Sequence, residues 1–299
     1  MSPTPEAERP SGARLAVLTA LALIAFAGNS LLCRAALAAP GLDPGLFTGV
    51  RLISGAVVLA AIVRSRERIH AGAGSWAAGV ALFVYAAGFS WAYLRLSAGT
   101  GALLLFGAVQ ATMNLAAWQS GERPGPRALA GLGLAIVGLG VLVAPGLAAP
   151  PLGAALLMLG AGVAWGIYSL RGRGSRDPLG ETATNFLRAA ALAVAMLLVM
   201  TLAEGTVAPT AIDRGSLLPL AYAAISGALA SGVGYAIWYT ALRGLTATRA
   251  ALVQLAVPPL AAIGGIALLG EAPTLRLIGA TLLILGGIAL GVTGRRSKT

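Results

Sequence analysis

Charge is scarce in this sequence, and acidic charge is the scarcest. Only 10% of the 299 residues are charged, against roughly a quarter in a soluble domain. Ten residues are acidic and 21 basic. So little polar surface cannot cover a globule in water. One cysteine, Cys33, excludes an intrachain disulfide and a cysteine-based metal cluster. One histidine, His70, excludes a multi-histidine metal site, and its neighbours RSRERIH read as a solvated loop. No cofactor is indicated. All ten acids (Glu6, Glu8, Asp43, Glu67, Glu122, Asp177, Glu181, Glu204, Asp213 and Glu271) fall in loops or at the ends of apolar runs. Proton-coupled carriers often use an acid at membrane depth. Its lack here argues against carboxylate-coupled antiport and for gradient-driven facilitation or another coupling route. A membrane-embedded enzyme acting on lipid needs His with an acid, or Ser with a base, at that depth. The sequence offers neither pairing.

What the chain has in abundance is apolar sequence, 58% of it. Leu15–Leu32, Ala128–Ala144 and Leu277–Thr293 carry no charge, and such runs approach the ~18–20 residues a bilayer span needs. The alternating pattern of a membrane β-barrel is missing. Clusters of Pro, Gly and charge divide the chain into ten expected spans: 14–37, 45–64, 75–95, 99–119, 127–145, 151–171, 183–203, 216–242, 246–269 and 274–294. The first is too long for the apolar part of a signal peptide and reads as a retained span. With the N-terminus inside, 15 of the 21 basic residues lie in inside segments and three outside. That asymmetry places both termini in the cytoplasm. It also accounts for the net charge of +11 without nucleic acid.

The chain repeats itself. Glu122, Pro124 and Arg127 recur 149 positions later as Glu271, Pro273 and Arg276, and Gly138 as Gly287. Arg34 and Arg51 recur 137 positions later as Arg171 and Arg188, and Trp91 recurs 147 positions later as Trp238. Two halves follow, 1–147 and 148–299, with five spans each. Five is odd, so the second half enters the membrane from the opposite face, the inverted repeat common in secondary transporters. Each Gly-Glu-x-Pro opens the fifth span of its half. Proline suits a first helical turn, and a carboxylate there meets the positive end of the helix dipole. Both glutamates therefore read as helix-start residues rather than substrate groups.

Ten spans in two halves, FTGVRLISGAVVL at 47–59, and the Gly-Glu-x-Pro hairpin before a glycine-rich helix resemble the EamA type of the drug/metabolite transporter superfamily. TGALLLFGAVQATMNLAAWQSGERP at 100–124 resembles a bacterial branch that includes amino-acid exporters. The resemblance implies an all-α, basket-like fold of ten transmembrane helices. In it spans 1, 3, 4, 6, 8 and 9 surround a central cavity, spans 2 and 7 lie beside it, and spans 5 and 10 pack at the rear. It also implies a bacterial inner membrane.

Within this frame several residues are candidates. Arg51 and Arg188 stand about one turn into spans 2 and 7. Each can snorkel to the interface, form a gating ion pair, or meet a substrate carboxylate. Tyr85 and Phe89 share a helix face in span 3, as do Tyr235 and Tyr239 in span 8, close to Trp238. Trp165 lies in span 6. These aromatics suit either an interfacial belt or an apolar substrate cavity. Asn29, Gln110 and Gln254 lie deep in spans 1, 4 and 9 and can bind substrate or bridge helices. Pro258 and Pro259 should bend or break span 9 and act as a hinge. Small residues on spans 5 and 10 suit close helix packing.

The leading expectation is a transporter working by alternating access and exporting small organic solutes, with aromatic or neutral amino acids favoured by the resemblance. Export of drugs or of other metabolites such as purines stays open. A structural or assembly protein fits less well. The expected partners are a small-molecule substrate and the lipid bilayer, not nucleic acid; monomer and dimer are equally open.

Overall fold

The computed structural model describes residues 12–38, 42–65, 74–119, 125–146, 149–172, 175, 177–203, 217–245, 250 and 253–293. Among them no strand occurs. The helices are α1 (Gly12–Ala38), α2 (Pro44–Arg64), α3 (Trp76–Tyr93), α4 (Ala98–Gln119), α5 (Pro126–Val143), α6 (Leu152–Arg171), α7 (Pro178–Ala203), α8 (Leu217–Leu242), α9 (Val257–Leu269) and α10 (Leu275–Thr293). Seven of these are long and apolar enough to cross a membrane, and α5, α9 and α10 hold shorter apolar stretches. Only 22% to 56% of the apolar window of each long helix is buried inside the protein, so lipid covers the rest. Leu198, Val199 and Leu202 on α7 and Leu275, Ile278 and Leu282 on α10 lie on that outer surface.

Local chemistry sets the helix starts. Asp43 accepts from the backbone N–H of Gly45 at 2.7 Å and of Leu46 at 3.0 Å, with Pro44 at the first helical position. Ser75 accepts from Ala78 N–H at 3.0 Å, and Asp177 from Gly180 N–H at 3.1 Å. The last of these corrects the expected start of span 7. The helix begins at Pro178, five residues before 183, because Asp177 satisfies its first turn. Arg188 consequently sits nearly three turns into α7, and Arg51 about two turns into α2, rather than one.

The packing carries the two-fold relation expected of the repeat. α3 lies on α6 as α8 lies on α1, and α4 lies on α6 as α9 lies on α1. α3 touches α7 as α2 touches α8. The equivalent pairs α2–α7 and α5–α10 pack on one another. α5 and α10 form the rear pair, as the resemblance implies. Their contact is made backbone to backbone. A Cβ on Gly287 would meet Ala135 N at 2.7 Å and press on the Gly131 carbonyl, and a Cβ on Gly131 would press on the Gly287 carbonyl in turn. Without water to drive helices together, such close approach is what holds them.

Two sequence features act differently from expectation. Glu271 does not start α10. Residues 270–274 are not helical, and Thr274 accepts from Leu277 N–H at 3.1 Å to cap that helix. The Glu271 carboxylate instead reaches the start of α4. There Ala98 N–H lies 2.9 Å from both of its oxygens, and Arg34 Nε lies 3.4 Å away. The dipole argument holds, but for a different helix. Glu122 and Pro124 lie outside the described residues. The break expected in span 9 is present. The backbone turns at Leu255 and Ala256, and Pro258 stands in the first turn of the helix that follows.

Gly131→Val should lower the thermal stability of the purified protein by about 1–3 kcal/mol, the usual cost of overpacking. Gly133→Ala adds a Cβ that meets nothing within 4 Å and should leave the melting temperature in detergent unchanged. Equal melting of the two variants would refute the glycine contact.

Candidate functional site

At the junction of α1, α2, α3, α6, α7 and α8 the aromatic side chains gather around Trp165. Its ring stacks on Tyr235 at 5.5 Å and on Tyr168 at 5.3 Å, and lies 4.8 Å from Tyr85. Tyr85 continues to Phe89 at 5.5 Å, and Phe89 to Tyr93 at 4.7 Å. Tyr235 also meets Phe186 of α7 at 5.9 Å and Phe26 of α1 at 5.8 Å. Spacings of 4.5–7 Å are favourable for aromatic pairs. Helical spacing explains the local part: Tyr85, Phe89 and Tyr93 are four apart, as are Tyr235 and Tyr239. Only the fold brings Trp165 between them.

A polar chain lies against these rings. Ser226 donates to Asn29 Oδ1, Asn29 Nδ2 donates to Tyr85 Oη at a long 3.5 Å, and Arg51 Nη2 donates to the same hydroxyl at 2.9 Å. The chain joins α8, α1, α3 and α2, hence both halves of the repeat. Arg51 is 1% exposed. Its guanidinium carbon lies over two rings, 4.8 Å from the Phe89 centroid and 5.2 Å from that of Tyr85, a cation–π contact with each. Among the described residues its Nε and Nη1 have no hydrogen-bond partner. Among the described residues the ion pair formed is Arg34–Glu271, and no carboxylate pairs with Arg51.

Arg51 is therefore buried at depth rather than held at an interface; among the described residues no acid pairs with it, and α2 reaches the ring cluster instead of lying beside it. The reason lies in the α2–α8 crossing. A Cβ on Gly227 would collide with the Arg51 carbonyl and with Ser54 Oγ, so only a glycine lets the two backbones approach this far. Gly55 on α2 also lies close to Phe186 of α7, where a Cβ would lie 2.7 Å from the ring. At that crossing α8 widens into a π-helical stretch, Ser226–Val233, a form frequent at functional sites.

Arg188 behaves unlike its repeat partner. It is half-buried, lies 5.6 Å from the ring centroid of Trp76, and pairs with no described acid. Trp238 is buried but stands apart from Trp165, in a small cluster with Ala22 and Ala250, and meets the main ring group through Phe26 at 5.7 Å. Gln110 on α4 and Gln254 before the helix break are half-buried, and the polar chain does not reach either. Several members were not singled out from sequence. Phe26 and Phe186 look like ordinary apolar positions. Ser226 had a readable signal, the small-residue stretch SGALASGVG within an apolar span.

Both ends of the bundle are tied. At one end Arg34 pairs with Glu271 and donates from Nη1 to the Tyr93 carbonyl at 3.1 Å, while the Tyr93 hydroxyl donates to the Ala98 carbonyl at 3.2 Å. At the other, Tyr168 donates to Thr182 Oγ1 at 3.3 Å, and the Tyr239 hydroxyl lies 3.2 Å from the same atom.

A bundle of two inverted five-helix halves, with an aromatic and polar site where they meet, is the architecture of a multi-pass membrane transporter. The model of the EamA-like transporter family matches residues 152–293. The chain is also 56% identical over 286 residues to an uncharacterized protein of Pseudomonas aeruginosa, covering 95% of this chain and 96% of that one. The chain belongs to the EamA-like transporter family, within the drug/metabolite transporter superfamily. A solved crystal structure superposes with a TM-score of 0.66 over 97% of this chain and 100% of its own; at 21% identity the likeness concerns the fold alone.

Tyr85→Phe removes the hydroxyl that accepts from both Arg51 and Asn29, leaving buried donors unmet. It should cost about 1–3 kcal/mol, read as a lower melting temperature. Tyr239→Phe loses a hydroxyl whose partner Thr182 still donates to the Pro178 carbonyl, and should cost less. The reverse order would refute the assigned polar chain.

Proposed function

We propose that this protein exports small organic solutes across a bacterial inner membrane, with aromatic and other neutral amino acids as the favoured substrates. The observation that carries the reading is the cluster centred on Trp165, where stacked rings adjoin the chain Ser226–Asn29–Tyr85–Arg51. Rings supply apolar contact for a side chain, and a few polar groups fix orientation, the usual composition of a small-molecule site. Such a site at a repeat interface suits alternating access, with the two halves, 1–147 and 148–299, rocking about it. The ties at the two ends, Arg34–Glu271 and Tyr168–Thr182–Tyr239, are the contacts that rocking would make and break. In this reading Asn29, Tyr85, Phe89, Trp165 and Tyr235 bind substrate, and the break before Pro258 and Pro259 serves as a hinge.

Charge supports the rest. The distribution of basic residues supports a cytoplasmic position for both termini. The four described acids, Asp43, Asp177, Glu181 and Glu271, all lie at or near helix starts or in a turn, which favours facilitated movement down a gradient over carboxylate-coupled antiport. The reading involves no catalytic step, cofactor or nucleic acid; lipid is the partner of the outer surface.

Proteoliposomes test it. Radiolabelled phenylalanine and other neutral amino acids should accumulate without an imposed pH gradient, and Trp165→Ala and Tyr235→Ala should each reduce the initial rate at least about tenfold, as loss of a stacking anchor worth ≥ ~1.4 kcal/mol requires. Uptake only with a pH gradient would overturn facilitation. No uptake of any amino acid would overturn the substrate class and shift it to drugs or other metabolites.

A further inference from the structure

Resting on the transporter reading, the inference concerns what the site recognises in its substrate. We infer that Arg51 is a carboxylate subsite, so that the substrate must carry a carboxylate beside its apolar body, whereas an amino group is dispensable. Three observations lead there. First, the guanidinium is buried about two turns inside α2, where a cation without a counter-charge is costly and marks substrate or ion pathways. Second, among the described residues no acid pairs with it and a single tyrosine hydroxyl accepts from it, so the N–H groups of Nε and Nη1 find no acceptor there. Third, these donors lie against Tyr85 and Phe89, next to the ring group of Trp165.

The missing acceptor is therefore an anion placed beside aromatic surface. One guanidinium balances one charge, which matches a carboxylate better than a phosphate dianion. An ammonium finds no such counterpart. Around Arg51, Tyr85 and Tyr235 the described residues offer it π faces and neutral oxygens, while Glu271 lies at the Tyr93 end of the ring group and Glu181 at the Tyr168–Tyr239 end. The π-helical stretch of α8, where Ser231 Oγ is also buried with no partner among the described residues, packs on α2 at Arg51.

Three ligands sharing one phenyl body separate the charges: 3-phenylpropionate, phenylalanine and phenethylamine. Binding to the full-length protein in detergent is followed by tryptophan fluorescence. Hydrogen bonds to a charged group correspond to about ten- to hundredfold in affinity. The two carboxylates should thus bind at least about tenfold more tightly than the amine, and Arg51→Gln should erase that preference. Arg51→Lys keeps the charge without the planar fork and should restore part of the preference, which also serves if Arg51→Gln does not fold. Wild-type protein that fails to prefer the carboxylates, or an Arg51→Gln protein that keeps the preference, overturns the inference and leaves Arg51 a structural cation between rings. Uptake by proteoliposomes separates this from the broader reading. Carboxylate binding without uptake of any of the three would refute transport of these solutes and leave the subsite standing. Phenylalanine uptake equal in wild type and Arg51→Gln would refute the subsite and leave amino-acid transport standing.

Discussion

Lipid offers its helices no hydrophobic push toward one another, and this architecture is organised around that constraint. Where attraction must come from close contact, glycine decides which helices meet and how deeply. Gly131 and Gly287 let α5 and α10 touch backbone to backbone and form the rear of the bundle. Gly227 does the same for α8 against α2 at the level of Arg51. A helix crossing set by side chains keeps its neighbour 8–10 Å away. A crossing set by glycine brings α2 into the interior and carries its arginine with it. The buried cation, and the site around it, follow from that one approach.

Once inside, Arg51 imposes its own requirements. A charge in a medium of low polarity needs partners, and the molecule supplies two ring faces and one hydroxyl. Tyr85 links it to Asn29 on α1 and thence to Ser226 on α8. A chain of hydrogen bonds that crosses from one repeat to the other makes the relative position of the halves a property of the site itself. Ties at the two ends of the bundle do the same work away from the centre. One of them joins α1, α3 and the start of α4 to the α9–α10 turn, and the other joins α6, α7 and α8. Each end is thus held by polar contacts that can exchange without disturbing the lipid-facing surface.

The departures from symmetry are as informative as the symmetry. Arg51 and Arg188 are equivalent in the repeat, yet the first enters the ring cluster and the second stays beside Trp76 near the start of α3. Trp238 recurs in register with Trp91 but belongs to a different packing group from Trp165. A repeat constrains backbones, because those are set by helix length and crossing. Side chains respond to whatever each half happens to place opposite them, and the two halves have drifted apart in that respect.

Helix number, their approximate bounds and the two-half organisation were legible in the chain, because apolar run length, proline, glycine and charge act locally and lipid enforces them uniformly. The helix break near Pro258 was legible for the same reason. Where local capping spoke more quietly than charge, as at Asp177, the reading missed five residues of α7. The roles of Glu271 and Arg51 were not legible. Glu271 serves a helix that begins 173 positions earlier, and no periodicity reports such a partner. Arg51 near a helix end reads as a residue that reaches for water, and only the α2–α8 crossing places it beyond that reach. By itself the sequence determined a polytopic helical membrane protein built of two inverted halves. The tertiary structure alone decided which rings gather on Trp165 and which donors remain unmet, since those depend on contacts between residues that the chain holds far apart.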